Sequence, residues 1–289
     1  MRIAFLCLAH NNENFLSKLS SYYCSDEDEF IIHLDKGVRE FDKKKFDPKT
    51  KWVEEHRRKK TAWGTFEIVS ATIELLKSAK ELGEFDRYIL ISGVDVPLVD
   101  KITLKEQINN EEEYIALWEY IERDNLTIND RLYDEFFKLH FYNILNYGKC
   151  RGNKVLRRLS LLLIKAIRAI PYKHKKSMRY YAKGSQWWCI SNKLVDEFLS
   201  ADYSEYKYMH APDEKAFHTI LVNSNYRWKL SRRKTDIHGI HYIDWNSSDL
   251  EFRFENIDKA RSRKALFARK IYERDKDKFI NYVKELHVK

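Results

Sequence analysis

The pattern of apolar and polar residues predicts alternating strands and helices in the first third of the chain. Residues 2–9 are almost continuously apolar, as in a strand buried on both faces, and residues 13–23 follow as a helix. Residues 29–34 predict a second strand and residues 52–56 a third, before residues 66–82 place apolar side chains at helical spacing. This alternation predicts an α/β fold with a mostly parallel central sheet flanked by helices.

Polar residues follow several of the predicted strands. His10 comes directly after the first strand, Asp35 after the second and His56 at the end of the third, while Asp95 lies in the loop after the strand predicted for residues 87–92. Because the carboxyl ends of parallel strands meet at one edge of a sheet, His10, Asp35 and His56 are expected to lie at that edge, where ligand groups gather.

The second half of the chain has a weaker pattern. Residues 114–118 predict a strand that ends in Glu119, and short strands are expected near residues 226–230 and 240–243. The chain is then expected to end in helices, the last of which carries residues 265–270.

Two dense clusters occur between residues 183 and 219. The run Gly184-Ser185-Gln186-Trp187-Trp188 predicts a tight turn that leads into a strand. The run Ala211-Pro212-Asp213-Glu214 places two carboxylates after a proline, which favours an extended Ala211 and a helix starting behind it. A carboxylate at a helix N-terminus near two large aromatic rings can take a proton from a bound hydroxyl, which suggests carbohydrate chemistry.

Composition narrows the class of protein. The formal net charge of +9 favours a nucleic acid, an anionic membrane or a phosphorylated ligand as partner. The four cysteines lie far apart in the sequence, so we expect neither a set of structural disulfides nor a structural metal site. This use of cysteine is typical of a protein in a reducing compartment. We see no signal peptide and no apolar run near the roughly 20 residues that cross a bilayer. The expected location is therefore cytoplasmic.

Each candidate residue also has a purely structural interpretation. The carboxylates of Asp213 and Glu214 could complement a helix macrodipole, and Arg269 and Lys270 could belong to a solvated helix face. Asp95 could simply cap the turn after its strand.

The tryptophans and histidines have similar alternatives. Trp187 and Trp188 are more often core residues than a sugar platform, and alternation along a strand suggests one ring of each kind. His10 and His33, with Asp35, could imitate metal ligands, but the two histidines come from different strands and form no local pair. A metal site is therefore not expected.

Seven short motifs, each weak alone, occur in a specific order along the chain. They are Ala9-His10-Asn11, Ile32-His33-Leu34-Asp35, Ala62-Trp63-Gly64, Ser92-Gly93-Val94-Asp95-Val96-Pro97-Leu98, Gly184-Ser185-Gln186-Trp187-Trp188, Pro212-Asp213-Glu214 and Phe267-Ala268-Arg269-Lys270. The ordered set resembles the core-2/I-branching β-1,6-N-acetylglucosaminyltransferases and their relatives, the peptide O-xylosyltransferases. The resemblance implies a GT-A-like nucleotide-sugar-binding fold and an inverting glycosyltransferase that needs no metal.

The resemblance also implies roles for individual residues. Glu214 matches the catalytic base, with Asp213 supporting it, Arg269 and Lys270 match a basic pair that holds the nucleotide diphosphate, and Asp35 matches an aspartate near the uridine. The predicted nucleotide-sugar site comprises His10, Asp35, Asp95, Gly184, Ser185, Gln186, Arg269 and Lys270. The predicted acceptor site comprises Glu119, Trp187 and Trp188.

The chemistry of the leaving group supports this interpretation. Metal-dependent enzymes of the GT-A type hold a divalent cation with an Asp-x-Asp motif, whereas this chain offers only Asp95 at that place. Developing negative charge on a diphosphate must still be neutralised, and Arg269 with Lys270 supplies two fixed cations. We therefore expect a UDP-sugar donor carrying N-acetylglucosamine, xylose or a similar sugar, a glycan acceptor, and no cofactor.

The chain departs from the animal members of the family in two ways. Those enzymes carry a membrane anchor and several disulfides, and the absence of both here predicts a bacterial-type cytoplasmic member that acts in surface polysaccharide biosynthesis. The segment between Trp245 and Phe267 also lacks a proline that the family pattern predicts, and the acceptor region matches poorly.

A basic amphipathic segment, residues 149–176, interrupts the motif order. Leucines and isoleucines interleave there with lysines and arginines, which is typical of a helix that lies on an anionic membrane. A core-facing helix with a solvated basic face fits the pattern equally well. We predict one domain over residues 1–289 with a basic helical insertion at about residues 149–180, and peripheral contact with the inner face of the plasma membrane, near a lipid-linked acceptor.

A different class of function is a non-catalytic basic protein that binds nucleic acid or glycan. Its support is the net charge together with an aromatic content of 14%. The sequence contains no known nucleic-acid-binding motif, so a nucleic acid partner is not expected.

Overall fold

The computed structural model describes residues 1–125, 178–231, 239–245 and 247–288, with single positions between 126 and 177. Those single positions are Phe136, Val155, Arg158, Leu159, Leu162, Leu163 and Ala166. The predicted insertion at 149–180 therefore lies almost wholly outside the described residues. Within the described part of the chain, no helix is both long enough and apolar enough to cross a membrane.

Strands and helices alternate through the described residues. The strands are β1 (Ile3–Ala9), β2 (Glu29–Leu34), β3 (Lys51–Trp52), β4 (Arg87–Ser92), β5 (Val96–Pro97), β6 (Tyr114–Glu122), β7 (Tyr180–Ser191), β8 (His241–Ile243) and β9 (Phe267–Arg269). The helices are α1 (Glu13–Tyr23), α2 (Phe66–Leu82), α3 (Lys101–Ile108), α4 (Asn192–Ser200), α5 (Ala216–Asn223), α6 (Ile257–Ser262) and α7 (Lys276–Val288).

The central sheet has six strands in the order β3-β2-β1-β4-β7-β6. Strands β3, β2, β1 and β4 run parallel, whereas β7 is antiparallel to both of its neighbours. All six residues of β4 are buried, as expected for a strand covered on both faces. The predicted α/β fold with a mostly parallel central sheet is confirmed.

Two hydrophobic clusters cover the two faces of this sheet. One contains the apolar residues of α1 and α7 together with those of β8 and β9, and the other contains those of α2, α4 and α5. Because both faces are covered, the exposed parts of the sheet are its edges, and ligands approach from the ends of the strands.

A second sheet of three strands, in the order β5-β9-β8, lies beside the carboxyl end of the central sheet. Strand β9 pairs antiparallel with β5 and parallel with β8, and it carries Arg269 at its end. The prediction that residues 265–270 belong to a helix was therefore wrong. Phe267 and Ala268 are fully buried because β9 lies between two partners that are distant in the sequence.

Three further local predictions were also wrong. The third strand ends at Trp52, and Glu55–Arg57 forms a 3-10 helix whose Arg57 pairs with Glu74 and Glu81 of α2. Asn225–Lys229 is a 3-10 helix rather than a strand. The run beginning at Gly184 contains no turn, because it lies inside the twelve-residue strand β7.

Strands β6 and β7 form an antiparallel ribbon that extends beyond the rest of the sheet. Strand β7 pairs with β4 only through residues 189–191, whereas its residues 180–183 pair with β6 alone. The ribbon, residues 117–122 and 180–185, thus projects past the carboxyl end of β4. This projection places it above the edge where strand-end residues converge.

Candidate active site

A cavity of about 660 Å³ lies at the carboxyl ends of β1, β2 and β4. Strand-end residues and loops form its floor and rim, and residues of β7 and β9 close one side. Its lining includes His10, Asn11, Asp35, Trp63, Ser92, Gly93, Gln186, Trp187, Arg269 and Lys270. The structure therefore brings together six of the predicted site residues, His10, Asp35, Gln186, Trp187, Arg269 and Lys270, from four separate parts of the chain.

Arg269 is held in a fixed position at the wall of this cavity. Its guanidinium carbon lies 4.0 Å from the centre of the Trp187 ring, and its Nε lies 3.4 Å from Oδ1 of Asp95. Burial lowers the pKa of Arg269, although Asp95 and Asp213 oppose the shift, and an arginine remains charged in such surroundings. Neither terminal nitrogen donates a hydrogen bond to any described residue, so both can bind a ligand.

Lys270 and His10 add to the polar lining of the cavity. Both side chains are exposed. Within the described residues, the Lys270 ammonium has no carboxylate within the 4.0 Å of an ion pair. Arg269 and Lys270 thus present two cations whose donors are available to an anionic ligand.

Asp95 does not bind a ligand directly, contrary to its predicted role in nucleotide-sugar binding. It is fully buried, and its carboxylate accepts hydrogen bonds from N and Oγ of Ser92, each at 2.7 Å. Burial alone would raise the pKa of Asp95, but Arg269, His241 and Ser92 together hold it below its usual value. Its structural interpretation as the cap of the turn after β4 is confirmed, and it also positions Arg269.

His241 is a buried partner of Asp95 that the sequence analysis missed. Its Nε2 lies 3.5 Å from Oδ2 of Asp95, and its ring stacks on Phe267 with centroids 5.2 Å apart. Burial lowers the pKa of His241, while Asp95 raises it. Because His241 lies on a three-residue strand with no motif around it, no local sequence signal indicates this contact.

Asp35 lines the cavity and also holds its rim together. Oδ1 accepts a hydrogen bond from Gly37 N at 2.6 Å, and Oδ2 accepts from N and Oγ1 of Thr61, each at 2.5 Å. The carboxylate therefore connects the loop after β2 to the loop before α2. Its predicted contact with the uridine stays a prediction.

The possible metal ligands near β2 are occupied by protein contacts. Nε2 of His33 accepts a hydrogen bond from Lys59 N at 2.9 Å, and burial lowers the pKa of His33 to about 4, so the ring is neutral. No group of three histidine, cysteine, aspartate or glutamate side chains within the described residues is arranged to hold a metal ion. That the reaction needs no metal stays a prediction.

Glu214 does not line the cavity; it lies in a 3-10 helix (Pro212–Glu214) that precedes α5. Its side chain is 31% exposed, and its Oε2 lies 4.0 Å from Nζ of Lys183 on the ribbon. His210, four residues earlier, packs edge-on against Trp63 of the cavity at 5.7 Å between ring centroids. A partly exposed carboxylate has the access that a general base needs, and its neighbour Asp213 acts electrostatically on Arg269 at the cavity wall.

Asp213 is the buried neighbour of Glu214. Its Oδ1 has no hydrogen-bond partner, and burial, with the charge of Glu214 adding to it, raises the pKa of Asp213 to about 7. A carboxyl group that is partly protonated near neutral pH repels Glu214 less than a second full charge would.

The backbone before Pro212 differs from the prediction. Ala211 has φ 40° and ψ 65°, a left-handed conformation, rather than the extended one that a following proline favours. Lys215 is fully buried, and its ammonium donates to the carbonyls of His210 and Ala211. These contacts join residues only four and five positions apart, so a local contact with a buried cation accompanies the departure from the preference of a residue before proline. Lys215 is a second residue that the sequence analysis missed.

Gly184 and Ser185 are packing residues rather than nucleotide ligands, which corrects their predicted role. A Cβ on Gly184 would lie 1.8 Å from the carbonyl oxygen of Ala116 and 2.5 Å from Cδ2 of His218. Glycine is therefore required where β6, β7 and α5 approach one another. Ser185 is buried, and neither residue lines the cavity.

The two adjacent tryptophans point to opposite sides of β7. Trp187 lines the cavity, whereas Trp188 is fully buried and packs against Phe198 and Phe217 with centroids 6.2 and 6.0 Å away. Trp188 belongs to the core, so its assignment to acceptor binding was wrong, and Trp187 is also buried, at 5% exposure, although it lines the cavity. Trp187 lies under Arg269, so its predicted contact with the acceptor stays a prediction.

Two residues at the outer side of the site complete the geometry. Glu119 of β6 lies opposite Lys183 of β7 in the ribbon, and Lys183 in turn approaches Glu214. Trp63 is 67% exposed at the rim of the cavity. The sequence motif contained Trp63 but gave it no role.

Comparison with known proteins identifies the family. A family model described as Core-2/I-branching enzyme matches residues 3–265, so the chain belongs to this family. The chain is a glycosyltransferase, which rules against the non-catalytic alternative. The matched residues end before Arg269 and Lys270, and so the roles of these two cations depend on the geometry described above.

Among solved structures, the fold is similar to that of galactosyltransferase LgtC in complex with donor and acceptor sugar analogs. The identity is 10%, and the alignment covers 99% of this chain and 95% of that one at a TM-score of 0.36. At this level no residue role transfers. No curated protein matches the chain significantly.

Proposed function

We propose that the protein is an inverting glycosyltransferase that moves a sugar from a UDP-sugar to a hydroxyl of a glycan. The sugar is N-acetylglucosamine, xylose or a similar residue. The observation that carries this proposal is the pair of available cations, Arg269 and Lys270, at the wall of the cavity, together with the partly exposed Glu214, whose neighbour Asp213 acts electrostatically on Arg269. In-line displacement needs this arrangement, with a base at the acceptor and positive charge at the leaving group.

The leaving diphosphate binds Arg269 and Lys270. The two terminal nitrogens of Arg269 form a planar fork that suits phosphate oxygens, and Trp187 and Asp95 hold this fork before the ligand arrives. Fixed charges of this kind stabilise the negative charge that develops as the bond to the sugar breaks. Asp35 and His10, at the ends of β2 and β1, lie where they can contact the nucleoside and the sugar.

Glu214 acts as the general base. It takes the proton from the acceptor hydroxyl, whose oxygen forms the new bond to the anomeric carbon. The bond from that carbon to the diphosphate breaks, and UDP leaves with the electron pair. Attack from the face opposite to the leaving group inverts the anomeric configuration. Lys183 orients the Glu214 carboxylate, and Asp213 supports it from the buried side.

We also propose that this chemistry proceeds without a divalent metal. The carboxylate of Asp95 faces Ser92, His241 and Arg269 rather than the cavity, and Arg269 with Lys270 supplies the positive charge that a metal would otherwise provide.

The function is tested with a panel of nucleotide sugars, first by thermal shift and then by transfer to mixed oligosaccharides. We expect UDP and at least one UDP-sugar to raise the melting temperature, because a ligand that binds the native state stabilises it. NMR of the product should show inverted anomeric configuration, and EDTA should leave the rate within about twofold. A retained configuration would contradict Glu214 as the base of a single displacement, and strong inhibition by EDTA would contradict metal independence.

Contact with an anionic membrane is a further part of the proposal. The described positions between residues 155 and 166 are helical and exposed, including Val155, Leu159 and Leu162, and the sequence between them is basic. Such a surface suits the interface of an anionic bilayer and would bring the enzyme to a lipid-linked acceptor of a surface polysaccharide. We expect flotation with phosphatidylglycerol vesicles and not with phosphatidylcholine vesicles, and loss of flotation in the double variant Leu159→Gln, Leu162→Gln. Flotation that is unchanged in this variant would contradict the contact.

A further inference from the structure

We propose that a second, aromatic groove on the ribbon holds the distal sugars of an oligosaccharide acceptor. The groove has a volume of about 330 Å³ and is formed by Tyr120 and Tyr180 of the ribbon, Val222 at the end of α5, and Arg227 and Trp228 of the 3-10 helix that follows. The inference rests on the proposed function, since it extends the acceptor site from Glu214 outward.

The groove exposes aromatic surface that the fold does not use. Trp228 is 77% exposed and Tyr120 is 62% exposed, whereas most large apolar side chains of the central sheet are buried. The rings of Tyr120 and Tyr180 are 6.3 Å apart at an interplanar angle of 62°, so they form two walls of a concave surface. Aromatic rings exposed in a concave site are the usual partners of the apolar faces of sugar rings, whose C–H groups meet the negative face of the π system.

Arg227 supplies the polar group of this groove. Its guanidinium carbon lies 4.3 Å from the centre of the Trp228 ring and 5.9 Å from that of Tyr180, so the rings fix its position. No described carboxylate pairs with it. Its donors therefore remain available to sugar hydroxyls or to the carboxylate of an acidic sugar.

The groove and the candidate base lie toward opposite ends of α5. Glu119 and Tyr120 are successive residues of β6, so their side chains lie on opposite faces of the ribbon, with Glu119 paired with Lys183, which approaches Glu214. Helix α5 begins two residues after Glu214 and reaches the groove at Val222. A helix of this length spans about 12 Å, so the groove lies about that far from the base. Only an acceptor with several linked sugars can fill both places at once.

The test separates acceptor binding from donor binding. Full-length protein and the variants Trp228→Ala, Trp228→Phe and Ile102→Ala are applied to an array of defined mono- to hexasaccharides, and UDP binding is measured on the same samples. Ile102 is the matched control, because it is 63% exposed and lies on α3, away from the groove. Trp228→Phe keeps an aromatic face at the same position.

We expect the wild-type protein and Ile102→Ala to bind at least one oligosaccharide and no monosaccharide. Trp228→Ala should weaken that binding by about tenfold, Trp228→Phe by less than about threefold, and UDP affinity should not change in any variant. The inference is overturned if no oligosaccharide binds, if Trp228→Ala binds as tightly as the control, or if the groove binds only nucleotides or peptides. Absence of UDP binding in the wild-type protein would instead contradict the proposed function.

Discussion

The two sides of the candidate site are built differently. On the donor side, Arg269, Asp95 and His241 form a buried cluster of charged and polar groups that also connects the two sheets. On the acceptor side, Glu214, Tyr120 and Trp228 are partly or largely exposed. The comparison indicates that folding and function depend on the same residues on the donor side, and on separate residues on the acceptor side.

The largest expected effect on activity comes from Glu214→Gln, on the acceptor side. Removing the base should lower the transfer rate by about 10²- to 10⁴-fold. Because Glu214 is partly exposed, the melting temperature and UDP affinity should stay close to those of the wild-type protein. Steady-state transfer kinetics, calorimetry of UDP binding and a thermal melt measure the three quantities. Full activity in this variant would remove Glu214 from the mechanism.

Arg269→Met, on the donor side, should reduce both activity and stability. The variant loses a diphosphate ligand, so UDP affinity should fall by about 100-fold, as expected for a hydrogen-bonded charge pair. It also leaves Asp95 buried without its cation, which costs about 3 kcal/mol of the free energy of unfolding. Lys270→Met serves as the control, since Lys270 is exposed and should lower UDP affinity without lowering stability. Equal stability of the two variants would contradict the difference between the two sides.

Asp213 gives a prediction about pH. Its pKa in the folded protein is about 7 against an ordinary value of 3.8, so the folded state keeps a proton that the unfolded chain loses. Protonated Asp213 therefore contributes its full stabilisation below pH 4, and this stabilisation is lost as the pH rises through 7. The total loss is about 1.4 kcal/mol for each unit of difference between the folded and unfolded pKa values. Asp213→Asn removes this dependence.

Urea unfolding at pH 4.5, 6 and 7.5 measures this effect, with the pH values chosen as roughly spanning the interval between the two pKa values. The free energy of unfolding of Asp213→Asn relative to wild type should rise steadily across the series. Because the charge of Glu214 is the second cause of the shift, the rise should be smaller in a Glu214→Gln background. A difference that does not change with pH would show that Asp213 is ionised in the folded protein.

The smallest effect is expected at Trp63. Its side chain is 67% exposed at the rim of the cavity, where it can cover a bound donor without holding the fold. Trp63→Ala should raise KM for the donor by less than about tenfold and leave kcat and the melting temperature near the wild-type values. A marked loss of kcat would instead place Trp63 at the reacting atoms, between the donor side and the acceptor side of the site.

Much of the framework could be predicted from local patterns. Strands β1, β2 and β4 and helices α1 and α2 match the apolar periodicity closely, because each buries a continuous face or both faces. The strand near residues 240–243 was predicted correctly as β8, whereas the short strands β5 and β9 were missed or misassigned, because their burial comes from partners far along the chain. Val96, for example, pairs with Ala268, and neither has a periodic neighbourhood.

The site divides in the same way. Ordered motifs identified Glu214, Arg269 and Lys270 as residue types with the right chemistry, since a base and two cations are recognisable in the sequence. The motifs could not show that Asp95 faces inward, that Trp188 belongs to the core, or that His241 and Lys215 hold the site together. Motif membership reports which residues occur together and carries no information on the direction of a side chain.

The α/β framework, the family and the chemical groups of a glycosyl transfer could therefore be inferred from the sequence. Which of those groups reach the cavity, and which support them from the buried side, depends on the folded structure. The physical reason is that periodicity records the burial of a face within one element, whereas the contact of Arg269 with Asp95 depends on desolvation and joins residues that are distant along the chain. Those quantities exist only once the chain has folded.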